Sequence, residues 1–431
     1  MRLTAKRGGA LTGLAAIPGD KSCSHRALIL GALASGTTQV MGLLESDDVL
    51  ATAKAVEALG AAVTRIGPGK WRIEGGPWRS PGAPVDCGNS GTAVRLLMGA
   101  VAGMEGLTAT FNGDDSLSAR PMNRIAAPLA RMGARIDGGE TLPLTIHGER
   151  LGGIDHRNVP ASAQVKSAIL LAGLGGSAPV RIAEPVSSRD HSEIMLAEFG
   201  ADLLVELGPD GAVITLGANR QLSGSGLIIG SDPSSAAFPL VAAALVPGSD
   251  VTTPGVLVNP LRTGLFETLE AMGADISLTN ERSQSGEIVG DLTMRHAPLR
   301  PCHVVASAVP AMIDEIPILA IACALADGES VIEGLAELRV KESDRLGAIV
   351  AGLAACGVVA LADGDALRIF GRSNVRGGAE IVTHGDHRIA MAFLTLGLVS
   401  AQPITVDRPG MIATSFPGYV DLMRNLGADI A

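Results

Sequence analysis

Six copies of one short pattern recur along the chain. Each is a helix-like stretch closing on glycine followed by a small or branched residue: AVEALGAAV, LARMGARI, MLAEFGADL, TLEAMGADI, GLAACGVVA and LMRNLGADI. The glycines are Gly60, Gly133, Gly200, Gly273, Gly357 and Gly427, spaced 73, 67, 73, 84 and 70 residues apart. Self-similarity at such a period means a fold assembled from repeated units. Repeated helices present repeated helix ends, and helix N-termini attract anions.

A second, more apolar helix precedes each amphipathic one. The six segments are SHRALILGALASG, GTAVRLLMGAVAG, ASAQVKSAILLAGLGG, DPSSAAFPLVAAALVPG, DEIPILAIACALADG and GDHRIAMAFLTLGLVS. They are apolar nearly all round, which predicts burial inside a domain. Five end in small residues including glycine, as helix C-caps do. The amphipathic partners begin with polar caps such as Ser46-Asp47-Asp48. Short β-branched runs (WRIEG, LTATFNG, LPLTIHG, AVITLG, LRIFG and PITVD) lie between the helices and predict strands. A unit therefore reads strand, buried helix, strand, amphipathic helix, strands, and six units divide into two sets of three. The expected fold is α/β, with buried helices in the middle of each domain and sheets outside. Pro18-Gly19 and the turn cluster Gly230-Ser231-Asp232-Pro233 suit crossings between domains. The expected domains are residues 19–230 and residues 1–18 plus 231–431, the first residues returning to the second domain as a strand.

Composition narrows the partners. The 431 residues are too many for one core and enough for two domains. A net charge of −10 argues against nucleic acid, whose phosphates recruit basic faces. Aromatics at 2 % leave no stacking platform for bases. Cys23, Cys87, Cys302, Cys323 and Cys356 form no C-x-x-C pair, so reduced thiols and a cytoplasmic location are expected. No signal peptide precedes Pro18, and the longest apolar runs, near 238–246 and 316–326, are too short to span a membrane.

Every buried helix starts polar and ends apolar. If the helices of a domain run parallel, their polar starts share one pole, and two poles facing each other would make a cleft rich in N–H donors. PGDKSCSHR (18–26) sets Lys21, Ser22 and Arg26 around the first such start, as an anion grip or an ordinary polar cap. It lacks the glycine spacing of the G-x-x-x-x-G-K-[ST] phosphate loop. DCGNSGTAVR (86–95) offers Gly88 and Gly91 for close backbone approach, though taken alone a glycine turn with a cap explains it better. In GDDSLSARPMNR (113–124) Arg120 precedes proline and is held in extended or turn geometry, which suits bidentate anion binding, whereas Arg124 reads as a surface helix residue. ASAQVKSA (161–168) brings Ser162 and Gln164 to a helix start, with Lys166 on another face, and Arg189 follows in SSRDH. A Ser-His-Asp hydrolase is set aside because no G-x-S-x-G elbow is present.

In the other half, MIDEIP (312–317) carries Asp314 and Glu315, and LRVKESDR (338–345) carries Lys341, Glu342 and Arg345. Such alternating charge ordinarily marks a solvated helix start. Carboxylates among cations can equally serve as general acid and base. THGDHRIAM (383–391) suggests zinc through His384, Asp386 and His387, but no fourth ligand follows at a standard spacing and Arg388 would repel a cation; no metal is expected. Taken together, an acidic protein places Lys21, Arg26, Arg120, Arg189, Lys341, Arg345 and Arg388 at or just before helix starts. That predicts small, highly anionic ligands, and the carboxylates among them predict chemistry.

In this order PGDKSCSHR, GNSGTAVR, RPM, ASAQVKSA, DPSSAAFPL, MIDE, LRVKESDR and GDHRIAM resemble the 5-enolpyruvylshikimate-3-phosphate synthases (3-phosphoshikimate 1-carboxyvinyltransferases) over essentially the whole chain. SRDHSE, RVKESDR and MIATSFP are more similar to the divergent bacterial class. The resemblance implies the enolpyruvyl transferase fold: two domains of three βαβαββ units, with the active site in the interdomain cleft. It implies transfer of the enolpyruvyl group of phosphoenolpyruvate to the 5-hydroxyl of shikimate 3-phosphate, by addition and elimination, without metal or organic cofactor. By motif match Asp314 accepts the hydroxyl proton, and Glu342, with Lys21, exchanges the methylene proton. Lys21, Ser22, Arg26, Ser162, Gln164, Arg189, Asp314 and Lys341 hold shikimate 3-phosphate; Lys21, Gly91, Arg120, Gln164, Arg345 and Arg388 hold phosphoenolpyruvate. A monomer with no nucleic-acid or membrane partner is expected.

Two departures stand out. Many members carry a lysine before the late T-F-P sequence where this chain has Ala413-Thr414-Ser415-Phe416-Pro417, so that contact to phosphoenolpyruvate should be missing. Leu96 follows Arg95 where many members have proline. Gly91, where some herbicide-tolerant members carry alanine, should leave room for glyphosate. The sister transferases acting on UDP-N-acetylglucosamine carry a cysteine in the loop before R-P, and residues 116–120 here contain none. A non-catalytic metabolite sensor on the same fold would lack Asp314, Glu342 or Lys21. An RNA-end-processing enzyme is opposed by the charge.

Overall fold

The computed structural model describes residues 2–431. The six repeated glycines all adopt positive φ, from 84° to 123°. Each follows an amphipathic helix: Asp47–Leu59, Asn123–Met132, His191–Glu198, Gly264–Ala271, Arg345–Ala355 and Tyr419–Leu426. The residue after each glycine returns its N–H to a carbonyl in the last helical turn. The six bonds are Ala61 to Val56, Ala134 to Leu129, Ala201 to Leu196, Ala274 to Leu269, Val358 to Leu353 and Ala428 to Met423, at 2.9–3.1 Å. Glycine enters this left-handed position without a Cβ penalty, and the returning N–H satisfies a carbonyl the helix end would leave open. The sequence repeat is thus a repeated helix stop.

The apolar helices are Lys21–Leu33, Gly91–Ala102, Ala163–Gly173, Pro233–Leu245, Ile316–Leu325 and His387–Gly397, and each is buried over most of its length. Lys21 and Ser22 belong to the first helix rather than preceding it, because Asp20 caps it by accepting the Cys23 N–H at 2.7 Å. Ser46 makes no capping bond; Asp47 and Asp48 supply favourable charge to that first turn instead. At Gly99 a Cβ would lie 2.3 Å from the carbonyl oxygen of Ala168, so glycine there lets two buried helices approach backbone to backbone.

Six four-stranded sheets flank the helices. Each opens with a parallel pair and continues antiparallel; in one, Val85–Asp86 runs parallel to Thr108–Asn112, which pairs with Leu144–His147 and then Arg135–Gly138. The chain's first strand, Arg2–Lys6, pairs antiparallel with Ile404–Asp407 and Asp429–Ile430 in the last repeat.

The chain divides into two compact units. One comprises Gly19–Ile229 with Gln284–Glu287; the other comprises the segment ending at Pro18, Gly230–Ser283 and Ile288–Ala431. Division by repeats would leave residues 284–287 with the second group. They join the first because Ser285 Oγ accepts the Ile228 N–H at 2.9 Å, a pairing across 57 residues. Among the described residues no helix is long and apolar enough to cross a membrane.

Candidate functional site

In the unit built on Gly19–Ile229, the starts of three buried helices converge. Arg26 ties two of them together: Nε donates to Ser192 Oγ at 2.7 Å, Nη2 to Ser167 Oγ at 2.8 Å and Nη1 to the Ser22 carbonyl at 3.0 Å. It stands in the second helical turn, not at the helix start, and is buried. Gln164 Nε2 donates to Thr92 Oγ1 at 3.1 Å, joining the other pair of helix starts. Ser90 and Ser162 cap their helices through their side-chain oxygens. Arg120, 8 % exposed, donates to Asn89 Oδ1 at 2.8 Å and to Ser116 Oγ at 3.2 Å. Lys21 pairs with the buried Asp48. Arg189 is half-buried just before the helix His191–Glu198.

Arg95 was quoted in the sequence motif without a role, yet it belongs to this group. Its Nη1 donates to Gln164 Oε1 at 2.7 Å and lies 3.0 Å from where a Gly91 Cβ would stand, with Arg120 Nη1 at 3.2 Å from the same point. The available signal was spacing: residue 95 follows residue 91 by one helical turn and shares its face. Asp48 was read only as a cap, and its partner Lys21 lies 27 residues away. Lys166, read as lying on another face of its helix, is buried against Glu184 and Glu193.

In the other unit three helix starts converge again, with different chemistry. Arg345 is fully buried, which disfavours a solvated helix start, one of the two readings of its segment. Its Nε donates to Asp386 Oδ2 at 2.8 Å, its Nη2 reaches Glu342 at 2.7 Å and its Nη1 reaches Asp314 Oδ1 at 3.3 Å. Burial alone would lower its pKa, but Asp386, Glu342 and Asp314 outweigh that and raise it. The Asp386 carboxyl is lowered: burial opposes ionisation, and Arg345 more than compensates. Lys341 Nζ also meets Asp314 Oδ1, at 3.3 Å. Arg388 donates to the Asp314 carbonyl at 3.0 Å and lies 3.6 Å from Glu315. Glu315 in turn accepts from Ser234, which also receives Arg262 Nη2 at 3.0 Å. Glu342 opens onto a pocket of about 350 Å³ that His384 also lines. His384 has a left-handed φ of 54°, and sequence reasoning had considered it only for zinc.

Asp20, Cys23 and His191 are close enough to share a cation, their ligand atoms lying within 4.8 Å of one another. Asp20 is engaged in capping, and His191 Nδ1 is bonded to Glu287 at 2.5 Å. Two helix N-termini meet there as well, which disfavours positive charge. The set reads as buried hydrogen bonding.

The arrangement offers preorganised cations and N–H donors for anions in one unit, and carboxylates poised on arginine in the other. A model of the EPSP synthase (3-phosphoshikimate 1-carboxyvinyltransferase) family matches residues 5–423. The chain belongs to that family. It is 54 % identical to a 3-phosphoshikimate 1-carboxyvinyltransferase of Phenylobacterium zucineum, over 99 % of this chain and 95 % of the relative. With the protein of the same name from Caulobacter vibrioides the identity is 53 %, covering 98 % and 97 %. The EPSP synthase of Acinetobacter baumannii superposes with a TM-score of 0.88 at 41 % identity, covering 100 % of this chain and 99 % of that one. The enolpyruvyl transferase NikO of Streptomyces tendae shares the fold, with a TM-score of 0.80 at 19 % identity. The family fold is therefore the two-domain enolpyruvyl transferase fold.

Proposed function

We propose that this protein is a 3-phosphoshikimate 1-carboxyvinyltransferase, joining the enolpyruvyl group of phosphoenolpyruvate to the 5-hydroxyl of shikimate 3-phosphate and releasing phosphate. The observation that carries the reading is Asp314 with Glu342 on one buried arginine, in a chain of this family. Addition requires the hydroxyl to lose a proton as its oxygen attacks C2 of phosphoenolpyruvate, and the methylene carbon to gain one. Elimination returns the methyl proton and breaks the bond to the phosphate oxygen. Asp314 is assigned the hydroxyl proton, and Glu342 with Lys21 the methylene proton. Hydrogen bonding to Lys341 and Arg345 orients Asp314 for that step.

Shikimate 3-phosphate is assigned to Lys21, Ser22, Arg26, Ser162, Gln164, Arg189, Asp314 and Lys341, and phosphoenolpyruvate to Lys21, Gly91, Arg120, Gln164, Arg345 and Arg388. Arg26 has its three nitrogens on Ser192, Ser167 and Ser22, which supports a role in presenting Ser22 and the helix end. Fixed cations stabilise charge developing on the departing phosphate without reorganising. In this reading the enzyme acts as a cytoplasmic monomer.

The test is phosphate release from phosphoenolpyruvate with and without shikimate 3-phosphate, with Asp314→Ala alongside. Release that needs both substrates and disappears in the variant supports the assignment. Release with UDP-N-acetylglucosamine as the acceptor instead would replace it.

A further inference from the structure

Lys166 is the one lysine buried among the described residues, with its side chain 1 % exposed. Its three ammonium donors are all used: Glu184 Oε2 at 2.8 Å, Glu193 Oε1 at 2.6 Å and the Ser188 carbonyl at 3.2 Å. Burial pulls the lysine toward neutrality, and Glu193 and Glu184 reverse this and raise its pKa. Glu184 ends the strand Val180–Glu184 and accepts four hydrogen bonds. Besides Lys166, the donors are the Ser188 N–H at 3.1 Å, the Ser188 hydroxyl at 2.6 Å and Asn158 Nδ2 at 2.5 Å. Asn158 Nδ2 also reaches the Ser162 carbonyl at 3.0 Å.

A buried ion pair rarely gains stability over apolar residues of similar size, so its presence asks for another reason. Here the pair clamps both backbone polar groups of Ser188, immediately before Arg189, and runs through Asn158 to Ser162. These are two separate loops, and each carries a residue assigned to shikimate 3-phosphate. We propose that Lys166, Glu184 and Asn158 are positioning residues that hold Arg189 and Ser162 in register with each other and so set the affinity for the phosphorylated acceptor. The inference rests on the assignment of those two residues as ligands. None of the three positioning side chains touches substrate; they act through the loops. A salt-linked clamp suits this task because its hydrogen bonds fix direction as well as distance, which apolar packing does not.

The test uses the full chain with Glu184→Gln and Asn158→Ala. Glu184→Gln leaves Lys166 paired with Glu193, so the fold is expected to survive, and it removes at least one of the bonds to Ser188. The KM for shikimate 3-phosphate is expected to rise about tenfold, while kcat and the KM for phosphoenolpyruvate stay within about twofold. Asn158→Ala should produce the same pattern more weakly, and Glu184→Asp, which keeps the charge, should restore part of the loss. Unchanged KM values in the first two variants, or a parallel rise for both substrates, would overturn the proposal. A wild-type protein that releases no phosphate in the same assay overturns the functional reading itself, and this inference with it.

Discussion

In the unit built on Gly19–Ile229, Arg26, Arg95 and Arg120 rest on hydroxyl, amide and carbonyl oxygens. In the other unit, Arg345 and Lys341 rest on carboxylates, and Arg388 on the Asp314 carbonyl with Glu315 at 3.6 Å. Both sets lie near helix starts of the same repeated architecture, so the difference lies in the partners, Lys21 with its Asp48 being the exception in the first unit. Neutral partners orient a guanidinium through directed hydrogen bonds. Carboxylate partners cancel its charge and are themselves tuned by it. The first arrangement suits holding a dianion; the second sets groups that can move protons beside the cations that hold it. The repeat supplies the frame, and side-chain substitution at the helix starts divides the labour.

The largest effect should follow from removing the central cation of the acidic set. Arg345→Met would leave Asp386, Glu342 and Asp314 around an uncompensated buried site, at a cost of about 3–5 kcal/mol. Arg26→Met strands only neutral hydroxyls and a carbonyl and should cost about 1–3 kcal/mol. Urea denaturation of the two variants checks this, and equal midpoints would erase the distinction between the units. Next in size is a kinetic contrast. Asp314→Asn should lower kcat by about 10²–10⁴, with a smaller rise in the KM for shikimate 3-phosphate and little change in that for phosphoenolpyruvate. Arg120→Lys, which loses the planar fork, should raise the KM for phosphoenolpyruvate about tenfold and largely spare kcat. Steady-state kinetics showing the reverse pattern would exchange the roles given to the two units.

What the sequence shows depends on how local the cause is. The glycine stops were legible because a positive φ and its returning hydrogen bond are settled within six residues. Helix starts bearing Lys21, Ser162 and Arg388 were legible for the same reason. The burial of Arg345 was not, since alternating charge looks solvated until Asp386, 41 residues on, closes over it. Nor were the pairings of Lys21 with Asp48 or of Lys166 with Glu184, because tertiary packing alone brings them together. The late Ala413-Thr414-Ser415 stretch remains without a lysine. The structure places residues 409–414 in a 3₁₀ turn whose Thr414 hydroxyl meets His387 at 3.4 Å.

A smaller effect should sharpen the comparison at Gly91. This helical glycine has ordinary φ, so alanine adds no backbone strain and should leave stability equal or slightly higher. Its new methyl would meet only the far ends of Arg95 and Arg120, at 3.0 and 3.2 Å, and these can give way. The KM for phosphoenolpyruvate should therefore rise only a few-fold, and inhibition by the longer glyphosate should weaken more. An unchanged glyphosate inhibition constant would remove the steric argument and place the limiting contact elsewhere.

The smallest effect separates the units by pH. His25 is fully buried, with Nδ1 2.7 Å from Thr52 Oγ1. Burial, then Lys21 and Arg26, push its pKa well below 6.5. The unfolded chain therefore binds a proton near pH 6.5 that the folded chain refuses until lower pH, so stability falls as pH drops through that window. Asp386 behaves differently: its lowered pKa contributes stability above about pH 4, lost only as pH falls further. The unit that holds His25 should weaken first on acidification. Trp71 and Trp78 are the only tryptophans and both lie in that unit, so their fluorescence reports it alone. Urea midpoints read from tryptophan should decline from about pH 6.5 in the wild type and decline less in His25→Gln. Identical slopes above pH 4 would mean that another group drives the early loss, and the charge asymmetry between the units would then have no bearing on their acid stability.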